Sequence, residues 1–239
     1  MFVPAFNLLG IDHASIIATS FAIQCFGMTA GSIAWYRYSR RQNITLEPAW
    51  HEYRNLVKVF AIPTILGVVF GQTVFQPNDD QQTILVFKIF SAIFGVAILV
   101  TTYQLRKTLL TGLSVEERLS IKNPMLRRTL FYLTGFVGGA ITAWLSIGVG
   151  ELVAILLILL RYPVAMSVGV AVSVSAIAVW VGVQKYIWFS SGIDLNILVF
   201  AAPAALIGGT LARRIASYLT ATQLKIVIAG WVLISAVVM

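Results

Sequence analysis

Charge is what this chain of 239 residues has least of: 11% of its positions are charged and 59% are hydrophobic. A soluble domain needs far more polar surface, and what remains is a membrane protein that crosses the bilayer several times. The apolar stretches are too many and too evenly spread to be one signal peptide or anchor. A single cysteine, Cys25, excludes an internal disulfide, and its apolar neighbours make it a small buried hydrophobe. No Gly-x-x-x-x-Gly-Lys-Ser/Thr loop is present, which argues against direct ATP use by this chain. The two histidines, His13 and His51, read as loop residues, so no span holds a base for a serine nucleophile and an intramembrane enzyme is disfavoured. Neither residue suggests a metal, and no cofactor is expected. Acidic residues are scarce too, 9 against 17 basic, for a net charge of +8. In a soluble protein that excess would suggest nucleic acid. Here it points to basic loops at one membrane face, and no nucleic-acid partner is expected.

Apolar runs occupy Ala14–Tyr36, Val59–Gly71, Ile84–Leu105, Thr129–Leu160, Val164–Gln184, Ile197–Ala212 and Leu224–Val238. The Val59–Gly71 run is short, and Leu56, Val57, Thr73 and Val74 can extend it. One loop holds Arg37, Arg40, Arg41, Arg54 and Lys58; another holds Arg106, Lys107, Arg118, Lys122, Arg127 and Arg128. Between them Gln72–Thr83 carries Asp79 and Asp80 and no basic residue. The positive-inside rule puts the basic loops in the cytoplasm and the acidic one outside, in an inner-membrane protein. The stretch Leu113–Arg128 reads as an amphipathic cytoplasmic linker.

The run Thr129–Leu160 decides the topology. At about 1.5 Å per residue a straight helix of that length reaches roughly 48 Å. A hydrocarbon core is only about 30 Å thick. The run's one charge, Glu151, follows Gly148-Val149-Gly150. If the run folds back there as a hairpin, Arg161, Arg213, Arg214 and Lys225 fall inside, and all 17 basic residues except Lys88 and Lys185 do so. The hairpin is therefore expected, with Tyr186-Ile187-Trp188-Phe189 at the outer interface and the C-terminus outside.

The chain also repeats itself. Val59-Phe60-Ala61-Ile62-Pro63 recurs as Val199-Phe200-Ala201-Ala202-Pro203. Phe87-Lys88-Ile89-Phe90 recurs as Leu224-Lys225-Ile226-Val227, and Asn43-Ile44-Thr45-Leu46 as Gly192-Ile193-Asp194-Leu195. A hairpin plus three spans is an odd number of crossings, so the copies invert, which is the secondary-transporter design shared by some channels. The expected fold is an all-α polytopic membrane protein of two inverted repeats. Each is a glycine-rich helical hairpin plus three transmembrane helices: residues 1–105 the first repeat, 106–128 the linker and 129–239 the second.

These features resemble the TauE/SafE family of sulfite and organosulfonate exporters. Val3-Pro4-Ala5-Phe6 and Gly10 through Thr19-Ser20 are similar to that family's proline-containing arm and Ala-x-x-Thr-Ser helix start. Gly135–Leu160 is similar to the second unit's hairpin. Pro63, Gly67 and Gly71, with Pro203, Gly208 and Gly209 ahead of Ala212-Arg213-Arg214, match the glycine-plus-proline helices. Three departures stand out. The family's triple glycine is here Gly148-Val149-Gly150-Glu151, with an acid in place of glycine. Val170-Ala171 stands where the first unit has Thr19-Ser20, with Ser173 and Ser175 following. The chain starts inside the first arm, so the first hairpin is incomplete.

The resemblance implies a secondary transporter of small anions, sulfur oxyanions or organosulfonates such as sulfite, working by alternating access. An anion channel or a non-transporting membrane subunit of the same fold is the alternative. Expected partners are a small anionic substrate and membrane lipids, and a homo-oligomer stays open. Thr19, Ser20, Gln24, Ser146 and Ser173 would bind the anion as neutral hydrogen-bond donors, or else simply join neighbouring helices. Gly148 and Gly150 would turn backbone N–H groups toward a ligand, or else allow close packing. Glu151 would carry a coupling proton, or else cap the second arm where the helix dipole favours negative charge.

Overall fold

The computed structural model describes residues 13–44, 52–74, 124–146, 148–160, 162–188 and 192–218, with isolated positions 89, 96, 223 and 230. These residues form helices α1 (His13–Ile44), α2 (Tyr53–Val74), α3 (Pro124–Leu145), α4 (Val149–Leu159), α5 (Val164–Trp188) and α6 (Leu195–Tyr218). The expected spans Ile84–Leu105 and Leu224–Val238, the Asp79-Asp80 loop and His51 lie outside the described residues. So do the expected linker up to residue 123 and the two chain ends.

The protein is an all-helical multi-pass membrane protein, in which α1, α2, α5 and α6 are each long and apolar enough to cross a membrane. Several helices run past the apolar stretches that announce them. α1 starts at His13, which is therefore not a loop residue, and continues through Arg37, Arg40 and Arg41. α3 starts at Pro124 and takes in Arg127 and Arg128. Hydropathy marks where a chain meets lipid. The backbone goes on pairing with itself beyond that point, because a continuing helix satisfies its own N–H and C=O groups.

The Thr129–Leu160 run is broken as expected. α3 ends at Leu145, and α4 begins at Val149 after a bend at Ser146 and Gly148. The return is a short one. Eleven residues rise about 16 Å, half of a bilayer core, so α4 re-enters without spanning. Its start lies against the middle of α5, where Gly150 meets Ser175. At its far end the Tyr162 hydroxyl donates to Glu52 at the foot of α2, 3.1 Å away. Burial and the Glu52 carboxylate push the Tyr162 phenol up from its ordinary range, while Arg127 at the foot of α3 pulls it down. α4 therefore comes back to the end at which α3 began.

Contacts along the helices fix their directions. α1 and α5 are antiparallel, with Phe21 against Gly182 and Trp35 against Gly169. α2 runs with α5, from Tyr53 near Gly169 to Gln72 bonded to Gly182 O. α6 runs with α1, from Asp194 at Thr19 to Arg213 over the Tyr38 ring. Thus α1 and its sequence counterpart α5 point in opposite directions, and so do the proline-bearing α2 and α6. Arg37, Arg40, Arg41, Arg54, Arg127, Arg128, Arg213 and Arg214 collect at one end, and Lys185 and Trp188 stand at the other.

Glycine faces bring the helices together. Gly71 of α2 sits on α3 so closely that a Cβ would lie 2.6 Å from Ala140 O, and Gly139 of α3 presses on Thr64 O in return. Gly209 of α6 meets Gly27 O of α1 in the same manner. Without a hydrophobic drive between helices in lipid, such backbone contact and its dispersion energy hold them together.

Candidate functional site

The bend between α3 and α4 is built from two unusual backbone positions. Ser146 has φ 56 and Gly148 has φ 148, both in the left-handed half of conformational space. Gly148 suits glycine alone, since a Cβ there would also meet Ile141 at 2.8 Å. A serine in the left-handed region costs about 1–2 kcal/mol, so its surroundings must hold it.

They do so through Gln24 of α1. The Gln24 Nε2 group lies 3.0 Å from Ser146 O, 2.8 Å from Ser146 Oγ and 2.9 Å from Ser20 Oγ. Its two hydrogens are shared among three acceptors, and the Ser20 and Ser146 hydroxyls are themselves 3.3 Å apart. Gln24 is 7% exposed and Ser20 fully buried. Thr142, in the last turn of α3, donates to Gly138 O at 2.8 Å and accepts from Val149 N–H at 2.9 Å. It thus serves one of the unpaired N–H groups at the start of α4.

Glu151 serves another. Its Oε2 accepts from Gly148 N–H at 3.0 Å, so the carboxylate folds over the N-terminus of its own helix. This is the capping geometry expected of an acid three residues into a helix.

These groups surround a cavity of about 60 Å³, roughly four times the space one water needs. Its walls include Gln24 and Met28 of α1, Ser146 and Gly148 of the bend, Glu151 of α4, and Ser175 of α5. Among the described residues no basic side chain lines it. The structure therefore brings Gln24, Ser146, Gly148 and Glu151 to one place, with Ser20 bonded behind them. Gly150 stands at its edge, packed on Ser175. Gly138 and Gly139 are packing glycines, against Val149 and Thr64 respectively.

Two of the sequence candidates lie elsewhere. The Thr19 hydroxyl accepts from Asp194 N–H at 2.9 Å and ties α1 to the start of α6. Ser173 lies on another side of α5 from Ser175, 2.6 Å from Tyr53 Oη and 3.1 Å from Ser32 Oγ. Both are helix-joining contacts. The sequence reading left Thr142 and Met28 out. The signal for each was the spacing of four that stacks side chains on a helix face: Thr142 before Ser146, and Met28 after Gln24.

A family model described as Sulfite exporter TauE/SafE matches residues 1–239. The chain belongs to the TauE/SafE sulfite exporter family. No curated protein and no solved structure matches it. TauE/SafE membership makes the chain a member of a transporter family.

Proposed function

We propose that this TauE/SafE protein is a secondary carrier of small anions, sulfur oxyanions or organosulfonates such as sulfite, and that the α3–α4 bend is where the anion binds. The observation that carries the reading is the cavity itself: a small polar chamber at a helix break, midway along α5, lined by the amide of Gln24 and the hydroxyls of Ser146 and Ser175. Broken helices with half-helix termini near the midplane are the usual site of a secondary transporter. Neutral donors suit a carrier, because a fixed cation in a low-dielectric site would hold an anion too tightly to release it. Opposed directions of α1 against α5 and of α2 against α6 supply the two halves that alternating access requires.

The protein is then placed in the inner membrane with the arginine-rich end in the cytoplasm, where the positive-inside rule and anionic headgroups favour it. Purified protein in proteoliposomes tests the transport reading. A carrier moves sulfite with saturation and is accelerated by sulfite on the far side. A channel of the same fold gives electrical currents far above carrier turnover, and a non-transporting subunit gives neither.

A further inference from the structure

The start of α4 is already occupied. Helix N-termini attract anions because unpaired N–H groups and the helix dipole converge there. Here the negative group at that place is the protein's own: Glu151 reaches back over one turn to take the Gly148 N–H at 3.0 Å, and its carboxylate lines the cavity. A second observation shows that the cavity has binding capacity left over. Ser175, only 9% exposed, lines it from α5 with its Oγ toward the first turn of α4. Among the described residues that hydroxyl takes no hydrogen bond, although serines in helices commonly bond the carbonyl four residues back. Among the described residues, the polar groups that face Glu151 from the other elements are Gln24 of α1, Thr142 of α3, Ser146 of the bend and Ser175 of α5, all of them neutral.

We propose that the Glu151 carboxylate is the resting occupant of the anion site, a tethered competitor that a substrate anion displaces as Glu151 takes up one proton. This deepens the carrier reading and rests on it. Two negative charges in a chamber this small repel each other strongly, and among the described residues no basic side chain lines it to offset them. When the carboxylate takes a proton from hydronium of the bulk solution, leaving water, as the anion enters, it becomes neutral and loosens its hold on Gly148 N–H. With a singly charged anion such as hydrogensulfite, the chamber then carries one negative charge before and after binding. The freed N–H and the Ser175 hydroxyl are the donors that receive the anion, and Gln24 holds the bend beside them. Each anion bound in this way brings one proton, which couples the two.

The test uses Glu151→Gln, which keeps the side chain's size and an oxygen to accept from Gly148 N–H but removes the charge. Sulfite dissociation constants of the purified wild-type and variant proteins are measured at each pH from about 5 to 8. The ratio of the two constants cancels sulfite's own protonation. The account predicts that the variant binds sulfite at least about tenfold more tightly at the alkaline end, with the ratio falling toward one as acid neutralises the wild-type carboxyl. A ratio of one at every pH, weaker binding by the variant, or no binding by either protein overturns the proposal. Wild-type sulfite transport with a ratio of one leaves the carrier reading standing and removes only the competitor. Tighter binding by the variant without wild-type transport keeps the displaced-carboxylate site and removes the carrier.

Discussion

Ser146 holds the site together at the smallest scale. Its left-handed backbone lets the chain leave α3 and begin α4 within a few residues, and its carbonyl and hydroxyl both face Gln24. Changing Ser146 to Gly removes a backbone cost of about 1–2 kcal/mol and a side-chain bond worth about 0.5–1.5 kcal/mol. The two nearly cancel. Thermal unfolding in detergent is therefore expected to change little, while anion flux falls because a cavity hydroxyl is gone. A large loss of stability with flux intact would show that Ser146 is a structural residue only. Much at this scale was legible in the sequence. A lone acid beside two glycines in an apolar run marked the bend, and Ser20 and Gln24 share a helix face. What could not be read was which hydroxyls turn inward. Thr19 and Ser20 are adjacent yet point to different helices, and Ser173 and Ser175 part in the same way, because neighbouring positions on a helix face about 100° apart.

At the level of helices, the contacts are made through backbone as much as through side chains. Gly139 and Gly71 let α2 and α3 touch, and no larger residue fits at either place without moving a helix. Gly139→Leu is expected to abolish the folded protein in the membrane, since Thr64 O and Val68 N stand where the side chain would go. Gly208→Ala is the control: a Cβ at Gly208 meets nothing within 4 Å, so folding and yield should be unchanged. Comparable yields of folded protein from both variants would contradict the packing account. The glycines were visible in the sequence, but their partners were not. A spacing of four glycine-bearing positions identifies a contact face without saying which helix it meets. Helix ends were misjudged for a similar reason, since α1 and α3 carry their arginines on continuing helix rather than on loops.

At the scale of the molecule, the described helices have a basic end and an opposite end and run both ways. That arrangement follows from the fold-back at Ser146–Gly148: had the run crossed once, Arg213 and Arg214 would lie opposite Arg40. Instead Arg213 stacks on Tyr38 of α1, 5.0 Å from the ring. Single cysteines placed in a Cys25→Ala background read the orientation. Trp188→Cys should react with a membrane-impermeant thiol reagent on intact cells, and Arg40→Cys only after the membrane is opened. The reverse pattern would overturn the proposed orientation. Charge bias in the sequence was enough to foresee the hairpin, because a charged side chain in lipid is costly and arginines must emerge somewhere. It could not foresee that the chain turns back half-way, since charge records which side a chain reaches and not how deeply it travels.

The central claim is that this polar chamber binds and releases a small anion, and sulfite counterflow in proteoliposomes tests it most directly. Vesicles loaded with unlabelled sulfite should take up labelled sulfite faster than empty ones, with saturation. Gln24→Ala inserted in equal amount should lose most of that uptake. Uptake that is absent from the wild-type protein, or unaltered by Gln24→Ala, would contradict the account.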